Sequence, residues 1–309
     1  MNIISLFSGC GGMDLGFRQA GFNTIWANEY DKTIWETFET NHPNTTLDKR
    51  SITDIHEDEI PEADGLIGGP PCQSWSEAGS KKGIDDARGK LFYEYIRVLK
   101  AKQPKFFVAE NVPGILQDRH RDAFSNILAQ LSGCGYTVSL KKMNANDYEV
   151  PQERQRVIIV GIRSDINKSF EFPQPIEYKP TLGDTIADVT DELPNNEYLT
   201  GGFSSMFMSR NRVRGWDEPS FTIQASGRHA PLHPSAPKMV KVDKDTHKFV
   251  EGHEYRRLTV RECARIQTFP DSFVFKYKNI TDGYKMVGNA VPVSLAKYIG
   301  FAVNSVLTD

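Results

Sequence analysis

The residue best placed to do covalent chemistry is a thiol on a proline-stiffened loop. Gly68-Gly69-Pro70-Pro71-Cys72-Gln73-Ser74 follows a short apolar run. That presents Cys72 at the C-terminal end of a strand, where open α/β sheets bind ligands. Most single cysteines are inert core residues, and this loop is the wrong setting for a core. Downstream, Glu110-Asn111-Val112 closes the run Phe106-Phe107-Val108-Ala109. A carboxyl there can hand a proton to a reacting group beside the cysteine loop, or serve as a simple cap. Gln152-Glu153-Arg154-Gln155-Arg156 precedes a β-branched run. In an extended segment its alternating arginines share one face, suited to a phosphate, a polar ring or plain solvation.

A second constellation opens the chain. Phe7-Ser8-Gly9-Cys10-Gly11-Gly12 lies between the first apolar run and the first helical pattern. Glycines there let backbone approach a cofactor closely, and a helix N-terminus offers N–H groups to an anion. About twenty residues on, Asn28-Glu29-Tyr30-Asp31 ends the next run, where an acidic side chain can bind ribose hydroxyls. The spacing is neither GxGxxG nor a P-loop, so by itself it fits a tight turn equally well. The polar stretch after Cys72, with Lys81, Lys82 and Arg88, reads as a lid or as a solvated loop.

These residues need elements to position them. Ile3–Phe7, Thr24–Asn28, Gly65–Gly68, Phe106–Ala109 and Val157–Ile162 are predicted strands. Asp14–Ala20, Asp31–Thr40, Leu91–Leu99 and Ala123–Leu131 are predicted helices between them. Strict alternation predicts a doubly wound α/β sheet, mostly parallel, with helices on both faces. From about Phe172 the pattern dissolves into a polar, Pro- and Gly-rich stretch, read as a smaller irregular domain. Helical periodicity returns at Thr259–Gln267 and in the tail, Val291–Val306, which rejoins the first domain. The predicted division is residues 1–178 and 280–309 against 179–279.

Composition bounds the rest. At 309 residues the chain has room for two domains, at roughly 150 residues each. Its net charge of −3, from 37 Lys and Arg against 40 Asp and Glu, excludes a globally basic coat but not a local basic face. Cysteines at 10, 72, 134 and 263 give neither a disulfide framework nor zinc-ligand spacing, and three of them read as core. No apolar run approaches the roughly 18 residues of a membrane span, and the N-terminus is not a signal peptide. The expectation is a soluble, cytoplasmic, metal-free protein.

Together and in order, these segments resemble the DNA cytosine-5 methyltransferases over nearly the whole chain. The resemblance rests on the FSGCGG loop, the Asn28-Glu29 and Thr53-Asp54-Ile55 steps, Pro-Pro-Cys-Gln, Glu-Asn-Val and Gln-x-Arg-x-Arg. It continues through Arg257-Leu258-Thr259-Val260-Arg261-Glu262-Cys263-Ala264-Arg265-Ile266-Gln267 and Gly288-Asn289-Ala290-Val291-Pro292. It implies the S-adenosylmethionine-dependent methyltransferase fold with an inserted target-recognition domain. It implies that Phe7, Gly9, Gly11 and Gly12 hold S-adenosylmethionine, with Glu29 and Tyr30 at the ribose. Asp54 and Ile55 would flank the adenine, Pro70 and Leu91 would line the same site, and Asn289 would lie at the methionine end. Cys72 would be the nucleophile, Glu110 the acid at cytosine N3 and Arg156 a contact to the flipped base, with Arg154 supporting the loop.

The middle domain holds Phe207-Met208-Ser209-Arg210-Asn211-Arg212-Val213-Arg214 and Gln224-Ala225-Ser226-Gly227-Arg228-His229. Arginine reads guanine through O6 and N7 or simply binds phosphate. This block resembles that of bacterial modification methyltransferases specific for GGCC. The resemblance assigns guanine reading to Arg210, Arg212 and Arg228, with Arg214 in the same run. Met206 falls where that group has another aliphatic wedge, and Gln73, Ser74 and Arg88 are expected at the DNA. The implied partners are double-stranded DNA and a cognate restriction endonuclease, with the enzyme working as a monomer. A tRNA cytosine-5 methyltransferase and a catalytically silent DNA-binding homologue are the competing readings.

Overall fold

The computed structural model describes residues 1–71 and 90–308, without the Lys90 side chain. The chain forms two compact units. One comprises Met1–Asn144, Gln155–Gln174 and the chain from Ala296 onward; the other comprises Ala145–Arg154 and Pro175–Leu295. The second unit therefore takes in more than residues 179–279. Gln152 and Arg154 are the reason on one side: their side chains bond to Ile223 and to the Gly288 and Ala290 carbonyls, drawing 145–154 into that unit.

In the first unit the apolar runs become β1 (Asn2–Leu6), β2 (Asn23–Asn28), β3 (Thr46–Asp48), β4 (Gly65–Gly68), β5 (Phe106–Asn111), β6 (Tyr136–Asn144) and β7 (Gln155–Arg163). They form one sheet in the order β3-β2-β1-β4-β5-β7-β6. Strands β1 to β5 are parallel, whereas β7 runs antiparallel to both β5 and β6. Alternation with helices does not extend to these last strands, because an antiparallel pair needs no crossover helix. β6 escapes the sequence pattern because Ser139, Lys141 and Lys142 interrupt its apolar residues, leaving it half-solvated.

Helices α1 (Gly12–Gln19), α2 (Trp35–Asn41), α3 (Lys90–Lys102) and α4 (Arg121–Gly133) connect these strands. α3 and α4 bury Tyr95, Leu99, Ile127 and Leu131 with Ile4, Leu66, Phe107 and Ile159 of the sheet. Each such large apolar side chain contributes roughly 1.5–3 kcal/mol on burial. Tyr95 adds a polar anchor, its hydroxyl lying 3.2 Å from the Leu66 carbonyl and 3.0 Å from that of Val108. That ties α3 across β4 and β5, the strands that end at the candidate site.

The second unit has little regular structure: α5 (Leu182–Ile186), α6 (Val260–Ile266), α7 (Ile280–Asn289) and a small hairpin, β8 (Val240–Asp243) with β9 (Thr246–Lys248). Thr181 with Asp184, and Thr259 with Glu262, cap α5 and α6 reciprocally. Loop carbonyls that no ladder pairs are met by buried arginines instead. Arg257 donates to Leu199, Gly201 and Gly202, and Arg261 to Pro194, Pro270 and Phe273. A small core of Phe207, Val213, Leu232 and Met239 packs among these loops.

Residues Ile280–Thr308 are long and apolar enough, by length and composition, to cross a membrane. They form two helices, α7 and α8 (Val293–Thr308), broken at Ala290-Val291-Pro292. Tyr284, Val287, Leu295, Ile299 and Val303 are buried within the protein.

Candidate active site

The glycine loop after β1 is built on left-handed backbone. Phe7 has φ 54°, Gly9 57° and Gly11 88°. A bulky residue such as Phe7 rarely adopts that region, and strain of this kind collects at functional loops. The loop is tied to the end of β2. The Ser8 N–H donates to the Asn28 carbonyl at 3.1 Å, and the Gly9 N–H to Glu29 Oε2 at 2.9 Å. The other carboxylate oxygen of Glu29 accepts from the Asp31 N–H at 2.8 Å. Nothing lies within 4 Å of where a Cβ on Gly9 would sit. Tyr30 is 71% exposed beside this carboxylate in sequence. From the turn after β3, Asp54 is exposed and Ile55 buried; Leu91 at the start of α3 is half-buried.

β4 and β5 end at the second part of the site. The Asn111 amide donates to the Pro70 carbonyl at 3.3 Å, so Asn111 anchors the loop that leads to Cys72. A Cβ on Gly69 would lie 3.3 Å from Glu110 Oε2. Across the strands, Arg156 Nε meets Glu110 Oε1 at 2.7 Å, and Arg156 also donates to the Gln155 carbonyl at 2.7 Å. Burial pulls the Arg156 guanidinium below its ordinary range, and Glu110 opposes that shift. The structure brings Glu110, Arg156 and the Gly69-Pro70 loop together. The sequence reading did not single out Asn111, although this residue stands inside the Glu-Asn-Val motif.

Arg154 and Arg156 do not work from one face. β7 begins at Gln155, so Arg154 precedes the extended strand. In the second unit Arg154 is 1% exposed, and it donates to the carbonyls of Ile223, Gly288 and Ala290 at 2.8, 2.8 and 3.1 Å. It is a backbone organiser, without the surface needed to touch a substrate.

The same unit contains a polar cleft of about 380 Å³ lined by Arg210, Arg212, Gln224, His229, Thr222 and Glu153, among others. Its field is positive. The His229 imidazole is pushed down by burial first, then by Arg212, Arg210, Arg228 and Arg257. The arginines of the run differ. Arg210 and Arg228 are exposed. Arg212 is buried, donates to the Phe207 and Met206 carbonyls at 2.8 and 3.0 Å, and stacks 4.8 Å from the Phe207 ring. Arg214 bonds Glu153 and Glu218 at 2.8 and 3.1 Å and covers Phe221 at 4.3 Å. Met206 is 68% exposed on the turn that Arg212 holds, and Asn289 is exposed at the end of α7. Cys72, Gln73, Ser74 and Arg88 lie outside the described residues. Cys10 and Cys263 are buried, as expected of core residues, whereas Cys134 is half-buried at the edge of the core.

The family of C-5 cytosine-specific DNA methylases matches residues 1–305. The Type II methyltransferase M.FnuDI of Fusobacterium nucleatum is 57% identical, over 100% of this chain and 96% of its own length. The Type II methyltransferase M.NgoPII of Neisseria gonorrhoeae is 56% identical, over 99% of this chain and 96% of its own. The solved structure of the Entamoeba histolytica methyltransferase EhMeth shares the fold, with a TM-score of 0.74 at 18% identity, covering 100% of this chain and 99% of that one.

Proposed function

The chain belongs to the C-5 cytosine-specific DNA methylases, and from that premise we propose that it transfers a methyl group from S-adenosylmethionine to C5 of a flipped-out cytosine within GGCC in double-stranded DNA. The observation that carries the reading is the grouping of Glu110, Arg156 and the Gly69-Pro70 loop, with Pro71 alone between that loop and Cys72 in the sequence. We assign the enzyme to the modification half of a restriction–modification pair, acting as a monomer on DNA, in keeping with the Type II naming of its relatives.

The glycine loop suits the methyl donor. A carboxylate fixed by two backbone N–H groups, with open space above Gly9, favours ribose hydroxyls, and the loop lacks the lysine of a phosphate cradle. Phe7, Gly9, Gly11, Gly12, Glu29, Tyr30, Asp54, Ile55, Pro70, Leu91 and Asn289 are the residues assigned to it. When bound, S-adenosylmethionine supplies an electrophilic methyl on sulfonium.

Cytosine C5 is a poor nucleophile. The Cys72 thiolate adds to C6, forming a C–S bond, while Glu110 gives a proton to N3. C5 then carries enamine density and takes the methyl. Loss of the C5 proton to solvent, expulsion of the Cys72 thiolate and return of the N3 proton to Glu110 restore the aromatic ring, leaving 5-methylcytosine, with S-adenosylhomocysteine as the demethylated donor. Cysteine serves both steps because its thiolate is a strong nucleophile and a competent leaving group. The carbon is unreachable inside a duplex, so the base must be flipped out. Arg156 orients Glu110, and the second unit reads the neighbouring guanines. Bisulfite sequencing of DNA from cells expressing the chain tests this: protected cytosines should map to GGCC. No protected cytosine in DNA would overturn the proposal, and a parallel tRNA arm would reveal an RNA substrate.

A further inference from the structure

The second unit buries polar side chains that the proposed chemistry does not use. Gln152 and Gln267 are fully buried and Arg154 nearly so. Such groups are costly unless each finds partners, and here the partners are the backbones of two segments. The Ile223 N–H donates to Gln152 Oε1, and the Ile223 carbonyl accepts from Arg154, both at 2.8 Å. Gln267 Nε2 donates to the Val287 and Ala290 carbonyls at 2.8 and 3.2 Å, beside the Arg154 bonds to Gly288 and Ala290. Gln152 Nε2 donates to Gln267 Oε1 at 2.8 Å and closes the network.

The two segments also touch directly. A Cβ on Gly288 would lie 2.2 Å from the Gln224 carbonyl carbon, and a Cβ on Gly227 2.5 Å from the Tyr284 ring. Residues 223–227 are therefore laid on α7 in one register. A slip of one residue would drive Ser226 or Arg228 into Tyr284. Both ends of this segment border the cleft: Gln224 and His229 line it, and Arg228 follows Gly227.

We infer that Gln152, Arg154 and Gln267 are specificity-positioning residues, which fix the register of 223–228 on α7 and so the place of Arg228, without touching DNA. This rests on the proposed reading of GGCC by the second unit. A purely structural network would, on weakening, lower activity on every sequence alike.

The test compares kcat/KM on a GGCC duplex with that on duplexes carrying a single guanine replacement, for wild type, Gln267→Met, Arg228→Ala and the double variant. Gln267→Met should lower the ratio of cognate to replaced sites about tenfold, the scale of one good base contact. In the Arg228→Ala background it should lower the ratio no further, because the effect runs through Arg228. Gln152→Met frees the Ile223 N–H but leaves the Ile223 carbonyl on Arg154 and Gln267 bonded to Val287 and Ala290, so it gives the same reading with a milder disturbance of the fold. An unchanged ratio with uniformly lower activity, or additive losses in the double variant, overturns the inference. A wild type that methylates another site would instead overturn the GGCC reading, and the ratio would then be taken at that site.

Discussion

Arg156 Nε lies 2.7 Å from Glu110 Oε1, with the two side chains 13% and 12% exposed. The contact divides the carboxylate. Oε1 faces the arginine, and Oε2 faces Gly69, on the loop that leads to Cys72. One oxygen is held by the guanidinium, and the proposed reaction assigns the other to the base. A pair so nearly removed from water holds its orientation better than an exposed one, where screening and side-chain entropy cancel most of the attraction.

Glu110→Gln should keep the contact with Arg156 through its amide oxygen. It cannot deliver a proton to N3. Methyl transfer should slow by roughly 10²-fold or more, the usual worth of a positioned acid. Single-turnover transfer to a GGCC duplex measures this, with calorimetry of the methyl donor as the check on folding. A wild-type rate would remove Glu110 from the reaction.

Cys72→Ser should abolish turnover, since a hydroxyl is a far weaker nucleophile at neutral pH. Binding of the methyl donor should survive, because none of the residues assigned to it is changed. Substantial methylation by the serine variant would sink the covalent route.

Much of this was legible in the sequence for a physical reason. Parallel strands buried on both faces read as continuous apolar runs, so Gly65–Gly68 and Phe106–Asn111 could be placed to within a residue or two. The candidate residues Pro70 and Glu110 fall at the ends of those runs. Residues whose partners are distant in sequence could not be read. Gln152 and Gln267 stand 115 positions apart, and nothing local marks either as buried. The arginine run shows the same limit. The resemblance placed Arg210, Arg212 and Arg228 at guanines with Arg214 in the same run, whereas Arg212 and Arg214 turn to the protein's own carbonyls, carboxylates and rings.

Asp14 offers a prediction about pH. It is fully buried in α1, and burial pushes its carboxyl up to about 6 from an ordinary 3.8, against weaker pulls from the Ser5 and Thr24 hydroxyls and from Arg18. A raised carboxyl pKa favours the fold below pH 3.8, and that contribution is lost as pH rises through about 6. His42, which burial pushes down to about 4, works oppositely over an overlapping window. Asp14→Asn removes only the first effect. Its stability relative to wild type should therefore grow between pH 4 and pH 7, by roughly 2–3 kcal/mol. Thermal unfolding of both proteins across that range checks it. A difference that is flat with pH would show that Asp14 stays unprotonated, or is solvated, in the folded state.

Arg228 and Arg214 should separate base reading from scaffolding. Arg228 is exposed on the segment that borders the positive cleft, whereas Arg214 is held by Glu153, Glu218 and the face of Phe221. Arg228→Ala should cost about 1–3 kcal/mol of discrimination at one base pair, the value of a bidentate guanine contact. Arg214→Ala should instead remove the cation shared by Glu153 and Glu218, leaving Glu218 with Lys238, and lower stability, with the ranking of DNA sequences unchanged. The measurement is binding to GGCC and to single-guanine replacements at one fixed salt concentration, because phosphate contacts make every affinity salt-dependent. If Arg228→Ala weakens all duplexes equally, the residue belongs to the phosphate backbone. If Arg214→Ala reorders the preferences, the guanine reader is Arg214, and its carboxylate partners must release it when DNA binds.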